Sequence, residues 1–427
     1  MISRRRSLRR RSGRARPAGA MPAASGAGAH LAGTEQGDPS ARSAQTMPDY
    51  DLMVHLVGEQ AIPNLIAMRQ LDVPRHLLLV SDQTLPVAKR LAQLQPGACR
   101  WGKLRNPYAI GGTSAQTLQF VRSMGARQPV FNLTGGTKMM FAGAYDAAQQ
   151  LNAPCFYVET VPNRTLHWLE PHRKVPLKPV LGVEDFVRVV GHDLQDPGRW
   201  ESDPLRATRV ELCRRFWDVR SKICEGNRQK AFAAFCKDSS AGKSLPPFPA
   251  GIMVAGDPSG RWTLTLGGAT GQFSSADEVA AFMAGGWFEE FCYSLLRPLE
   301  MSGLIHQLRF RLKPAWGAQA AVAADAQGIQ EFDLAFTDGF RLFVLECKAG
   351  DVKQEHIQVL ENNRNSFGGA MGQGLLLTTF PLRGAAARRI QGSKLAAIGG
   401  GALPDAVSRG DIITLPPGAV LPRRRSG

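Results

Sequence analysis

Glu331, Asp333, Glu346 and Lys348 fall within one stretch of eighteen residues. Side chains two apart on a strand share a face. Glu331 and Asp333 therefore project together from a first strand, and Glu346 and Lys348 from a second. Asp338-Gly339 between them is a turn signal, so the stretch reads as a hairpin. The apolar run Phe343, Val344, Leu345 buries the second strand and leaves its charged end at a sheet edge. Converging carboxylates repel one another unless a positive charge lies between them. A divalent ion held by oxygen ligands meets that need, with Lys348 beside it to hold a phosphate or a water.

The elements that present these groups are legible on both sides of the hairpin. Residues 285–296 form a helix with an apolar stripe at Phe288, Phe291, Cys292 and Leu295. Glu289 borders that stripe and is expected to reach the sheet, whereas Glu290 is expected to face solvent. A strand over 304–312 precedes the hairpin. A helix over 354–363, a buried strand over 374–379 and a basic helix over 384–390 follow it. The order helix, three strands, helix, strand resembles the PD-(D/E)xK nucleases, with Asp333, Glu346 and Lys348 at the motif positions; Gln330 stands where fused nucleases of this kind often carry Asn. The bare D-x12-E-x-K spacing also occurs on many surface hairpins. The resemblance implies that Asp333 and Glu346, with the Cys347 carbonyl, hold one or two Mg²⁺ or Mn²⁺ ions. Lys348 would orient or deprotonate the attacking water, or stabilise the phosphorane-like state. Glu289 would complete the shell directly or through water. Glu331 either joins the site or pairs with Arg309 or Arg311.

Residues 48–170 read as a separate α/β domain. Strands over 52–57, 75–81, 101–104, 129–134 and 155–159 alternate with helices over 64–70, 85–94, 113–124 and 138–151, and Thr113 or Ser114 caps the third helix. Apolar strands alternating with helices make a parallel sheet covered on both faces, and ligands bind beyond the strands' carboxyl ends. Two loops lie there. Gly58-Glu59-Gln60 follows the first strand. Thr134-Gly135-Gly136-Thr137-Lys138 joins the fourth strand to a helix N-terminus, where free amides and a lysine suit a phosphate; equally, the two glycines suffice to make a turn. The loop has neither the Walker nor the Rossmann spacing. It resembles the signature loop of CARF domains (CRISPR-associated Rossmann folds) fused to nucleases. That resemblance implies that Thr134, Gly135, Gly136, Thr137 and Lys138, with Gly58 and Gln60, bind a cyclic oligoadenylate, most simply tetra-adenylate, across a homodimer. The nuclease domain would then cut RNA or DNA in type III CRISPR antiviral defence.

The 427 residues carry a formal charge of +16, unevenly spread. Residues 1–46 hold nine Arg against Glu35 and Asp38, and Arg423, Arg424 and Arg425 close the chain. The leader 1–47 is expected to be disordered, or to precede a true start at Met47. A modestly basic remainder suits a polyanion. Seven Cys without a C-x-x-C pair argue against a disulfide framework or a zinc cluster and for a reducing cytoplasm. No apolar run suits a membrane span. Residues 171–280 are expected to form a connector of helices plus a hairpin, winged-helix-like, entered through a linker over 171–179. Residues 281–395 make the nuclease domain, and 396–427 a C-terminal segment with a basic tail. The fold expected is thus a Rossmann-like parallel-sheet domain, a small connector and a restriction-endonuclease-like α/β domain. Two further classes stay open on the residues alone: a ligand-sensing nucleic-acid-binding regulator with a degenerate nuclease domain, and a repair or restriction nuclease without ligand control.

Overall fold

The computed structural model describes residues 49–95, 99–225, 227–240, 248, 250–316 and 331–421. The Arg-rich leader, Gln330 and Arg423 to Arg425 lie outside the described residues. The first part of the chain runs β1 (Leu52–Leu56), α1 (Ile62–Gln70), β2 (His76–Val80), α2 (Leu85–Leu94), β3 (Cys99–Lys103), α3 (Ile110–Ser123), β4 (Pro129–Asn132), α4 (Lys138–Gln150) and β5 (Cys155–Glu159). These five strands are parallel, and β6 (Thr165–Trp168) and β7 (Arg173–Pro176) add antiparallel to the edge, giving the order β3-β2-β1-β4-β5-β6-β7. The central strands are fully buried, which is why they read as mostly apolar runs.

Two expectations give way here. The third helix starts at Ile110, three residues before the expected cap, and neither Thr113 nor Ser114 caps it. Both are buried against α4, where Ser114 Oγ donates to Asp146. Gly143 allows that approach: a Cβ there would sit 2.6 Å from the Ile110 carbonyl. Part of the expected linker is strand β7, whose mostly exposed four residues carry no apolar alternation to reveal it.

The chain continues through α5 (Val183–Val189), β8 (His192–Asp196), α6 (Val210–Ile223), α7 (Asn227–Ser240), then β9 (Met253–Gly256), β10 (Trp262–Leu266), β11 (Ala269–Phe273) and α8 (Ala276–Ala281). Strands β9 to β11 form an antiparallel sheet of three, one more than the hairpin expected. Ser275, not Asp277, caps α8 by accepting from the Glu278 amide.

The last part comprises α9 (Trp287–Met301), β12 (His306–Trp316), β13 (Phe332–Thr337), β14 (Leu342–Lys348), α10 (Gln354–Asn363), β15 (Gly372–Thr378), α11 (Gly384–Gln391), β16 (Leu395–Gly399), α12 (Ala402–Ser408) and β17 (Val420–Leu421). The second sheet has seven strands in the order β17-β16-β15-β14-β13-β12-β8. It takes β8 from the span expected for the connector, and β17 from beyond residue 395. Both are short edge strands, held by pairing that only the folded chain brings together. The molecule is therefore a mixed α/β protein with a Rossmann-like parallel-sheet domain and a second α/β domain.

The hairpin β13–β14 is joined by four residues, Asp338 to Arg341, rather than by two. Asp338 organises that turn. Its Oδ1 accepts the Phe340 and Arg341 amides at 3.0 and 2.8 Å, and its Oδ2 accepts from Arg341 and, across from the first sheet, from Arg164 at 2.7 Å. The Gly339 carbonyl accepts the Val180 and Leu181 amides, so the segment after β7 also grips the turn. Asp338 is 4% exposed. Removing one member of a buried ionic cluster leaves its partners uncompensated. Asp338→Ala is accordingly expected to cost about 3 kcal/mol in urea unfolding, with Asp338→Asn costing less because the turn amides keep an acceptor.

Candidate active site and ligand pocket

Leu334 pairs with Leu345 across the hairpin, so continuing the register by one residue sets Asp333 opposite Glu346. The period-two expectation is met: Lys348 Nζ lies 2.6 Å from Glu346 Oε1 and 3.8 Å from Asp333 Oδ2. The Cys347 amide donates to Asp333 Oδ2 at 2.8 Å and fixes that carboxylate against the strand end. Burial, followed by the charges of Glu289 and Glu346, raises the Asp333 carboxyl well above its ordinary range. Burial likewise raises Glu346, against the pull of Lys348. Burial also works against the charge on Lys348, but Asp333 and Glu346 outweigh it and push the amine up to about 12. The cluster thus holds two strained carboxylates around one firmly protonated lysine.

Glu289 approaches from α9, where Arg311 donates to its Oε2 at 2.8 Å. Glu331 pairs with Lys313 at 3.2 Å and lies 3.9 Å from Arg311, while Arg309 goes instead to Glu184. Glu290 overturns the expectation that it faces solvent. It is 5% exposed and bound by Arg209 at 3.0 Å, and burial raises its carboxyl to about 7 despite that arginine. The residues before α6 cover this face of α9, a long-range contact that helical periodicity cannot reveal.

Do these groups suit a divalent metal? Among the described residues no three His, Cys, Asp or Glu side chains cluster as a ready cage. Mg²⁺ and Mn²⁺ sites do not require one: one or two carboxylates suffice, with water and substrate phosphate completing the shell. Asp333 and Glu346 are hard oxygen donors, and each is destabilised as an anion where it stands. The donor set fits. Because the folded-state pKa of Asp333 is raised, its ionisation opposes folding, and stability is lost as pH climbs above the ordinary value of 3.8. Asp333→Asn is expected to raise the melting temperature of metal-free protein at neutral pH and to show none of the stabilisation by Mn²⁺ that is expected of the wild type, both read by calorimetry.

The second site lies between β1 and β4, where the strand order reverses and an open α/β sheet leaves a crevice. A cavity of about 690 Å³ opens there, and Gly58, Gln60, Thr134, Gly135, Gly136 and Thr137 all line it. Lys138 does not; it is exposed on the first turn of α4. Thr137 caps that helix by accepting the Met140 amide at 3.1 Å, and its hydroxyl donates to the Pro107 carbonyl. Gly135 is needed because the two loops touch through backbone: a Cβ there would stand 2.0 Å from the Leu56 carbonyl oxygen. Tyr108, 68% exposed, and Arg105 also line the cavity and offer a stacking face and a positive charge.

No motif marks the residues beneath this pocket. His76 Nδ1 and His55 Nε2 are 3.1 Å apart, His55 Nδ1 and Asn132 Nδ2 are 3.1 Å apart, and Asn132 Oδ1 accepts the Thr134 amide and hydroxyl. Burial pushes His76 down to about 4 and holds His55 well below its ordinary value, so both rings are neutral at pH 7. The chain of hydrogen bonds crosses three strands and ends on the Thr134 hydroxyl, which also accepts the Val158 amide at 2.8 Å. Its only sequence signal is a polar residue inside each apolar strand.

Residues 52–186 match the family profile described as the Card1 CARF domain. The match runs from β1 through the whole first sheet into α5. Among solved structures the chain is similar to Can2 from Sulfobacillus thermosulfidooxidans in complex with cyclic tetra-adenylate, at 21% identity and a TM-score of 0.65, over 85% of this chain and 99% of that one. It is also similar to protein VC1899 from Vibrio cholerae, at 15% identity and a TM-score of 0.67, over 85% of this chain and 97% of that one. No curated protein matches the chain. At such identities the likeness is one of fold, and it extends through both sheets. The seven cysteines are free, and among the described residues no helix is long and apolar enough to cross a membrane.

Proposed function

We propose that this protein is a cyclic-oligoadenylate-activated, metal-dependent endonuclease of type III CRISPR defence. The convergence of Asp333, Glu346 and Lys348 at one sheet edge carries the reading. Three observations support the sensor half: the switch-point cavity, the profile match over the first sheet, and the likeness to a structure determined with cyclic tetra-adenylate. Backbone amides from Gly135 to Thr137 would hold the ligand, with Tyr108 stacking on an adenine. Lys138, Ile110 and Met139 stand exposed on α3 and α4, a surface through which a second copy would complete a homodimer around one cyclic ligand.

When bound, Mg²⁺ or Mn²⁺ supplies an activated water and offsets charge on the scissile phosphate. Asp333 and Glu346, with the Cys347 carbonyl, would hold the ion. Glu289 stays oriented by Arg311 beside it. Lys348 would orient the attacking water or hold a phosphate oxygen. Activation reaches the hairpin through its turn, since Arg164 and residues 180–181 bind Asp338 and Gly339 directly. The ligand must then bind the cutting-competent state more tightly than the resting one.

Incubation with labelled RNA and DNA, Mn²⁺ and cyclic tri-, tetra- or hexa-adenylate tests the reading. Cleavage that appears with one ring size and not without it is the expected result. Equal cleavage with and without every ring removes the sensor, and no cleavage under any condition removes the nuclease.

A further inference from the structure

A second groove, of about 590 Å³, lies along α11 at the outer edge of the second sheet. One helix face, Gly384, Ala387, Arg388 and Gln391, forms one wall at i, i+3, i+4 and i+7 spacing, and residues 416–420 form the other. Arg383, at the helix start, also lines it. Arg383 and Arg388 are both exposed, and neither has an ion-pair partner among the described residues, whereas the neighbouring Arg389 is bound to Glu361. Two unpaired guanidinium groups on one wall of a groove that holds no acidic residue select for a polyanion.

The groove's position connects it to the cutting site. Strands β14, β15 and β16 are parallel, so Lys348, Thr378 and Gly399 end at one edge of the sheet. The Thr379 amide is 3.3 Å from the Lys348 carbonyl, and the Thr379 hydroxyl donates to the Ala349 carbonyl at 2.7 Å. Arg383 follows Thr379 by four residues, a span of at most about 14 Å even fully extended. With a rise of about 3.4 Å per nucleotide, Arg383 lies within roughly five nucleotides of the lysine.

We infer that this groove binds the phosphodiester backbone of the nucleic-acid substrate a few nucleotides from the scissile bond, through Arg383 and Arg388. The inference rests on the nuclease reading. Its contacts go to phosphate and carry no base recognition, so they set affinity and register rather than sequence preference. Bound here, the strand is held where its next phosphates pass Lys348.

The test uses the full chain with Arg383→Ala and Arg388→Ala combined, both surface changes away from the carboxylate cluster. Binding of a fluorescent 20-nucleotide single strand and of the matching duplex is followed by anisotropy in Ca²⁺ across a salt series. Cleavage is followed in Mn²⁺ with saturating cyclic tetra-adenylate. The double variant is expected to bind about tenfold more weakly, with the salt slope reduced by about two, one for each lost phosphate contact. Its KM is expected to rise with kcat little changed, and its melting temperature and cyclic tetra-adenylate affinity to match the wild type. Unaltered affinity and salt slope overturn the inference. Wild-type protein that binds through these arginines yet cuts nothing leaves the groove standing and removes the nuclease reading instead.

Discussion

Lys348→Ala is expected to slow nucleic-acid cleavage at least about 100-fold, the loss typical when one group that stabilises developing charge is removed. Cyclic tetra-adenylate binding is expected to stay at the wild-type level, because the lysine is on the second sheet and the ligand cavity in the first. The lysine sits 2.6 Å from Glu346 and 3.8 Å from Asp333, so its loss also leaves two buried carboxylates without their cation. A purely structural role would produce a destabilised protein whose cleavage returns with any cation at that position. Lys348→Arg separates the two roles. It keeps the positive charge but replaces a compact ammonium with a planar fork that cannot reach the same point. Single-turnover rates for Ala and Arg that are both low, with a wild-type melting temperature for Arg, assign the lysine to chemistry. Recovery of the rate in Lys348→Arg assigns it to the fold.

Gly135→Ala is expected to lower cyclic tetra-adenylate affinity at least about 100-fold, a loss of roughly 2.7 kcal/mol or more. The added Cβ would stand 2.0 Å from the Leu56 carbonyl oxygen and 3.1 Å from the Gly58 nitrogen. Both are backbone atoms, one at the end of β1 and one in the loop after it, so no side chain can swing away. The two loops must separate, and the cavity they share loses its shape. Gly111 provides the control, because a Cβ there meets nothing within 4 Å and α3 tolerates it. Calorimetric titration of both variants, followed by Mn²⁺-dependent cleavage with and without ligand, reads the effect. Gly135→Ala is expected to lose ligand stimulation while keeping its unstimulated rate. Wild-type ligand affinity in this variant would place the binding site elsewhere.

Much of this architecture is legible in the amino-acid sequence, for identifiable reasons. The central strands β1, β2 and β4 are buried throughout, so burial wrote them as apolar runs, and the loops at their carboxyl ends stood out by contrast. The hairpin that carries Asp333, Glu346 and Lys348 is legible because strand periodicity is strict: Glu346 and Lys348 cannot face opposite sides of one strand. What escaped depends on partners distant in sequence. Glu290 looks like a solvent-facing helix residue until Arg209, 81 positions earlier, arrives to bury it. Strands β8 and β17 are too short and too exposed to announce themselves, and only pairing to β12 and β16 makes them strands. The turn at Asp338 reads as a two-residue hairpin loop, yet four residues form it because the aspartate caps two amides and binds two arginines. The His76–His55–Asn132 chain has no spacing signature, since its members meet across neighbouring strands and not along one.

Crystals soaked in MnCl₂ and measured at the manganese absorption edge give the most direct test. The expected anomalous peak lies between the carboxylates of Asp333 and Glu346, about 2.1 Å from an oxygen of each, with the Lys348 ammonium moved off Glu346. A map with no peak there, and with Lys348 still clasping Glu346, would contradict a shared cation and with it the nuclease.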